Sequence, residues 1–129
     1  MELTSVRILI VDDFQRWRAE ISQLLQERSA CQIVGEACDG LEAIQKSAEF
    51  HPDVVLLDIR MPRMDGITAA REIRRQSPNS RIVFVTADAD QRMRDAAIAA
   101  GGHGYVLKLK ASADLIPAII AALADHHGS

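Results

Sequence analysis

An alternating α/β fold is predicted: a doubly wound, five-stranded parallel sheet of order 2-1-3-4-5 with five helices. Three observations lead there. Strand-like and helix-like patterns alternate about five times along 129 residues. The main strand segments are apolar almost throughout, as strands buried on both faces are. No linker or internal repeat divides the chain, so one sheet with helices on both faces takes all the elements. Right-handed crossovers then make this strand order the leading topology.

Val6 to Val11, broken only by Arg7, is the first strand, and Asp12-Asp13 ends it. Phe14, Trp17, Ile21, Leu24 and Leu25 recur at helical spacing and give an amphipathic helix to about Arg28. Gln32 to Ala37 is the second strand, and Asp39-Gly40 turns the chain. Leu41, Ile44 and Ala48 mark the second helix. It must stop before His51-Pro52, because proline disfavours helical geometry in its predecessor. Val54 to Leu57 is the third strand. Ile67, Ala70 and Ile73 mark the third helix, closed by Ser77-Pro78-Asn79. Arg81 to Val85 is the fourth strand, ended by Thr86. An Ala-rich fourth helix runs from about Asp90 to Ala100, with Gly101-Gly102 at its C-cap. Tyr105 to Leu107 is the fifth strand, ended by Lys108. The last helix covers Ser112 to Ala124, and Pro117 argues for a late start near Leu115. The arrangement is flavodoxin-like.

The length suits one domain, 1–129, with an ordered part of about 5–125. With 48% apolar and 26% charged residues the chain looks soluble and globular, and a net charge of −3 argues against a general nucleic-acid binder. Arg63, Arg71, Arg74 and Arg75 are interleaved with Glu72 and read as a solvated face. No apolar run would span a bilayer and no signal peptide opens the chain, so a cytoplasmic protein without membrane contact is expected. Cys31 and Cys38 lie on opposite faces of an extended segment, roughly 23 Å apart, too far to bridge. Both are read as reduced small hydrophobes. His51, His103, His126 and His127 lack metal-ligand spacing with them and are assigned surface or loop roles.

The carboxyl ends of the strands carry the chemistry. The first strand ends in Asp12-Asp13, the third in Asp58, the fourth in Thr86 and the fifth in Lys108. In the predicted order these ends adjoin, in the region where open α/β sheets bind ligands. Each residue has an ordinary explanation alone: a helix cap, a turn residue, a surface lysine. Together they make a different set. Carboxylates with backbone carbonyls and water form a hard oxygen site suited to Mg²⁺. A carboxylate can attack phosphorus. An ammonium and a hydroxyl can hold anionic oxygens, and Lys108 is one of only three lysines.

Four segments extend this into a resemblance: Ile8-Leu9-Ile10-Val11-Asp12-Asp13, Leu57-Asp58-Ile59-Arg60-Met61-Pro62-Arg63-Met64-Asp65-Gly66, Val85-Thr86-Ala87 and Gly104-Tyr105-Val106-Leu107-Lys108. In order and spacing the chain resembles the receiver domain of two-component response regulators, most like those of LuxR-type helix-turn-helix transcriptional regulators. The resemblance implies that Asp58 accepts a phosphoryl group from the phosphohistidine of a sensor histidine kinase. It implies Mg²⁺ held by Asp13, Asp58 and the backbone carbonyl of Arg60, with Asp12 acting through water. It implies that Thr86 and Lys108 hold the phosphoryl oxygens and that Tyr105 is an aromatic switch. One departure stands out. Most receivers have proline after the lysine, with a cis bond; here Leu109 follows. A cis bond before leucine would cost about 2.5–4 kcal/mol, so a trans peptide is predicted.

Two other classes compete for the same pattern: a phosphohydrolase using the same aspartate, and a flavin-binding module. Arg60 stands where haloacid-dehalogenase-type phosphatases want a second acid, and the acidic loop after the first strand would repel a flavin phosphate. The last helix carries two apolar stripes, Leu115/Ile119/Ala122 and Ile116/Ile120/Leu123. One stripe suffices to pack on a sheet, so the second has two readings: it widens the same core contact, or it meets another copy in a homodimer through the last helix. The chain stops at 125–129 without an effector domain. DNA contact is therefore expected only through a domain absent from this chain, unless the receiver stands alone.

Overall fold

The computed structural model describes residues 5–28 and 30–124. Its strands are β1 (Val6–Val11), β2 (Cys31–Ala37), β3 (Val54–Leu57), β4 (Arg81–Thr86) and β5 (Gly104–Leu107). The helices are α1 (Gln15–Gln26), α2 (Gly40–Phe50), α3 (Gly66–Gln76), α4 (Gln91–Ala99) and α5 (Ala111–Ala124). A single 3₁₀ turn, Lys108–Lys110, joins β5 to α5. The sheet is parallel with order β2-β1-β3-β4-β5, as expected.

The continuous apolar runs are explained by two cores, one on each face of the sheet. Ile8, Ile10, Leu56, Val83, Val85 and Val106 point to one side. There they meet Ile21 and Leu25 of α1 and Leu115, Ile119 and Ala122 of α5. Leu9, Val11, Val55, Leu57, Ile82 and Phe84 point to the other side. The fully buried helix residues they meet are mostly small: Ala43 of α2, Ala69 and Ala70 of α3, and Ala97 of α4, with Ile73 the large one. Ile44, Ile67 and Met93 pack on the same cluster partly buried. Alternation along each strand serves both cores at once. Burial of this kind is worth about 25 cal/mol per Å² of apolar surface, so the central strands are the main source of stability.

Aspartates start three helices. Asp39 accepts from the Glu42 N–H, Asp65 from the Thr68 N–H and Asp90 from the Arg92 N–H. Glu42 reaches back to the Cys38 N–H at 2.7 Å, a capping box read across one extra residue. Gly101 has φ 107° after the last turn of α4, a conformation that favours glycine.

The expectations for the last helix, Cys38 and His103 need correction. The last helix starts at Ala111, not near Leu115, and Pro117 lies inside it. The 3₁₀ turn delivers the chain already wound into α5, which outweighs the preference of proline for a first turn. The carbonyl left without a donor belongs to exposed Ala113, where water can serve it. Cys38 lies beyond the end of β2 and is exposed, so it is no core hydrophobe; both cysteines are free thiols. His103 also does more than fill a loop, since its Nδ1 accepts the Ile82 N–H at 3.1 Å. His126 and His127 lie outside the described residues. The two stripes of α5 share one broad contact: Ile116 and Leu123 pack partly against the same core as Leu115, Ile119 and Ala122.

Candidate functional site at the carboxyl ends of the strands

Register builds the site. Val11 pairs with Leu57, Leu57 with Phe84, and Thr86 with Leu107. The residues just past or at these strand ends are Asp12, Asp58, Thr86 and Lys108, so the sheet sets them side by side. The Asp58 N–H donates to the Val11 carbonyl and the Asp12 N–H to the Ala37 carbonyl, each at 3.0 Å. Asp12, Asp58 and Thr86 are buried and Asp13 is half-buried.

Asp12, Asp13 and Asp58 bring carboxylate oxygens within 4.8 Å of one another. Lys108 Nζ lies 3.1 Å from Asp58 Oδ2 and hydrogen-bonds to it. It lies 2.7 Å from Asp12 Oδ2, an ion pair that lacks hydrogen-bond geometry. Asp58 Oδ1 accepts the Ile59 N–H at 2.8 Å. Burial, with the neighbouring Asp12 charge, pushes the Asp58 carboxyl up to about 6, against the pull of Lys108. Burial works against the charge of Lys108, but Asp12 and Asp58 outweigh it and hold the ammonium above its ordinary value.

Asp13 Oδ1 is buried with no hydrogen-bond partner. Such an atom is costly unless something satisfies it. Three clustered carboxylates, one with a buried orphan oxygen, fit a hard divalent cation such as Mg²⁺.

The loop after β3 is held from two sides. Gly66 donates its N–H to the Ile59 carbonyl at 2.7 Å, and a Cβ on Gly66 would come within 1.9 Å of the Asp58 carbonyl oxygen. Only glycine lets α3 begin this close to the aspartate. On the far side Arg63, with φ 67°, donates through Nε to Asp39 Oδ2 at 2.7 Å. Asp39 is itself buried. Burial would raise its pKa, but the Glu42 N–H and the Arg63 guanidinium hold it below the ordinary range. This clamp is absent from the sequence reading, which put Arg63 on a solvated face. From the sequence Asp39 reads only as part of a turn; the Asp39-x-x-Glu42 spacing is a local signal that could have marked it as a cap, and nothing local marks the arginine.

Thr86 does not bond Asp58. Its Oγ1 accepts the Asp88 N–H at 3.3 Å. Tyr105 donates its hydroxyl to the Asp88 carbonyl at 2.8 Å, and the Arg94 guanidinium carbon lies 5.6 Å from its ring centroid. Arg60 donates through Nη2 to Asp88 Oδ2 at 2.8 Å, bridging the loops after β3 and β4. The peptide after Lys108 is trans, as predicted; none of the described peptides is cis. No helix among the described residues is long and apolar enough to cross a membrane.

The sequence profile of the response regulator receiver domain matches residues 8–120. Response regulator GacA of Pseudomonas viridiflava is 35% identical over 114 residues, covering 88% of this chain and 53% of that protein. A protein-glutamate methylesterase/protein-glutamine glutaminase of Alkalilimnicola ehrlichii is 40% identical over 105 residues, covering 80% of this chain but 27% of the enzyme. The chain thus spans about half of one relative and a quarter of the other. The crystal structure of a LuxR-family two-component response regulator from Aurantimonas sp. SI85-9A1 superposes with a TM-score of 0.89. It is 36% identical, covering 94% of this chain and 86% of that one. In motif, strand order and overall shape, the chain belongs to the response regulator receiver domain family.

Proposed function

We propose that this domain is a phosphoacceptor switch in which Asp58 is the nucleophile and a sensor histidine kinase is the donor. The observation that carries the reading is the 3.1 Å contact of Lys108 Nζ with Asp58 Oδ2 at a rim shared with Asp12 and Asp13. One Asp58 oxygen attacks phosphorus. The bond from phosphorus to the imidazole nitrogen of the phosphohistidine breaks, and its electron pair returns to that nitrogen, which takes up a proton. An acyl phosphate remains on Asp58. Lys108 passes from the carboxylate to the phosphoryl oxygens, and the Thr86 hydroxyl donates to another. Asp13, Asp58 and the backbone carbonyl of Arg60 would hold Mg²⁺, with Asp12 acting through water. The ion supplies positive charge to the transferring oxygens. The chemistry is limited to the domain's own phosphorylation and dephosphorylation, so it is a switch and not an enzyme acting on other substrates.

The switch runs through Thr86. Its hydroxyl now accepts from Asp88, whose carbonyl holds Tyr105. Drawing Thr86 to a phosphoryl group releases Asp88 and, with it, Tyr105 and α4. Ala97 is the only buried residue of α4, so little anchors this helix. The α4-β5-α5 surface is then the output. The LuxR-family likeness favours transcription, with DNA contacted through an effector domain outside this chain and the domain working in the cytoplasm. Pairing with a second copy would use the outer side of α5 around Ile120, and Ile120→Glu should weaken it in sedimentation.

The test is intact mass after incubation with Mg²⁺ and acetyl phosphate. A labile gain of one phosphoryl group that disappears in Asp58→Asn is expected. An equal gain in that variant would sink the assignment.

A further inference from the structure

Little of its own loop steers Lys108. The residue after it, Leu109, is 93% exposed and anchors nothing. Its side chain carries a point charge on a flexible stem, so ion pairing alone sets a distance but not a direction. Trp17, Lys108 and Leu109 line two adjoining surface grooves, which would give the ammonium an open path to water.

The start of α1 closes that path. Nζ of Lys108 lies over the Trp17 ring, 5.2 Å from its centroid, and over the Phe14 ring at 5.7 Å. Both distances are within reach of cation–π attraction. Phe14 and Trp17 stand three residues apart in the first turn, where the Trp17 N–H donates to the Phe14 carbonyl at 3.1 Å, so their side chains share a face. The same turn also fixes an acid of the site: the Phe14 N–H donates to Asp12 Oδ1 at 2.9 Å while Asp12 Oδ2 faces the ammonium. Phe14 is 63% exposed, which a core role does not explain.

We infer that Phe14 and Trp17 are positioning residues for Lys108, two ring faces that hold its ammonium at the rim of the acidic site. The rings do for direction what the carboxylates do for distance. When a cation or phosphoryl oxygens compete for Asp12 and Asp58, the rings keep the ammonium in place without occupying any acceptor. The inference rests on the phosphoacceptor reading for its consequence, but not for the contact itself.

The experiment has two arms, on wild type, Phe14→Leu, Trp17→Phe and the Phe14→Leu/Trp17→Leu pair, each checked for fold by circular dichroism. The first arm is NMR of the lysine ε-methylene groups, tractable with three lysines. Ring currents should move the Lys108 signal upfield in wild type and in Trp17→Phe, less in Phe14→Leu, and not at all in the pair. The second arm is phosphoryl incorporation from acetyl phosphate by intact mass. The maximal rate should fall about tenfold in the pair and be largely restored when Trp17 is Phe, with half-saturating Mg²⁺ unchanged. An unshifted Lys108 in wild type overturns the inference, as does a folded pair, or a folded Phe14→Leu, that matches wild type in both arms. A wild type that takes up no phosphoryl group overturns the phosphoacceptor reading instead, and the NMR arm still decides whether the rings hold the ammonium.

Discussion

Tyr105 donates its hydroxyl to the backbone carbonyl of Asp88 at 2.8 Å, tying the middle of β5 to the loop between β4 and α4. The same Asp88 donates its N–H to the Thr86 hydroxyl, and its carboxylate accepts from the Arg60 guanidinium. One loop residue therefore joins a strand-end hydroxyl, a ring on the next strand and the arginine two places after Asp58.

Tyr105→Phe should loosen that loop and leave the site chemistry alone. A net hydrogen bond is worth about 0.5–1.5 kcal/mol, so amide exchange at residues 87–90 should quicken by about two- to tenfold. Phosphoryl uptake at Asp58 should be unchanged. Equal exchange in both proteins would show that the hydroxyl holds nothing.

Asp58→Asn should be more stable than wild type when metal is absent. The Asp58 carboxyl titrates near 6 in the folded protein against an ordinary 3.8. The folded state thus holds its proton longer than the unfolded state does. Stability falls as pH rises between those values and stays low above them. Asparagine lacks this loss. The gap should open from pH 4 to pH 7 to on the order of 1–2 kcal/mol in urea unfolding with chelator, and Mg²⁺ should close it. A gap that does not vary with pH would show the shift to be absent.

Asp13→Ala should weaken Mg²⁺ binding by at least about tenfold, since it deletes one oxygen of a hard-cation set. Trp17 is the sole tryptophan and faces Lys108 beside that set, so its fluorescence can follow the titration. Superimposable titrations for the two proteins would remove Asp13 from the metal site.

Gly66→Ala should damage the site and the fold together. The added methyl carbon would lie 1.9 Å from the Asp58 carbonyl oxygen, so backbone must move. Overpacking costs about 1–3 kcal/mol and more where the neighbour is rigid. Urea midpoints and phosphoryl uptake should both drop. The nearby Thr68→Ala keeps its backbone bond to Asp65 and should lose little of either.

The parts legible in the sequence are those whose signal is local. Asp12, Asp58, Thr86 and Lys108 each end an apolar strand, so strand order alone placed them together. What escaped depends on geometry between distant segments. Arg63 reaches Asp39 from 24 residues away, by way of a left-handed backbone at a non-glycine residue. The rings on Lys108 come from the opposite end of the chain, and a spaced Phe and Trp read simply as a core stripe. Pro117 misled about α5 because the residues ahead of it were already wound into a 3₁₀ turn.

That turn leaves no slack between the site and the last helix. The backbone of Lys108 is its first residue, and α5 begins at Ala111 without an intervening coil. Site and helix are coupled in series, like a rod clamped at one end. Any shift of the Lys108 backbone must appear as rotation or sliding of α5, and Ile120, near the far end of the rod, has the longest lever arm of its half-covered isoleucines.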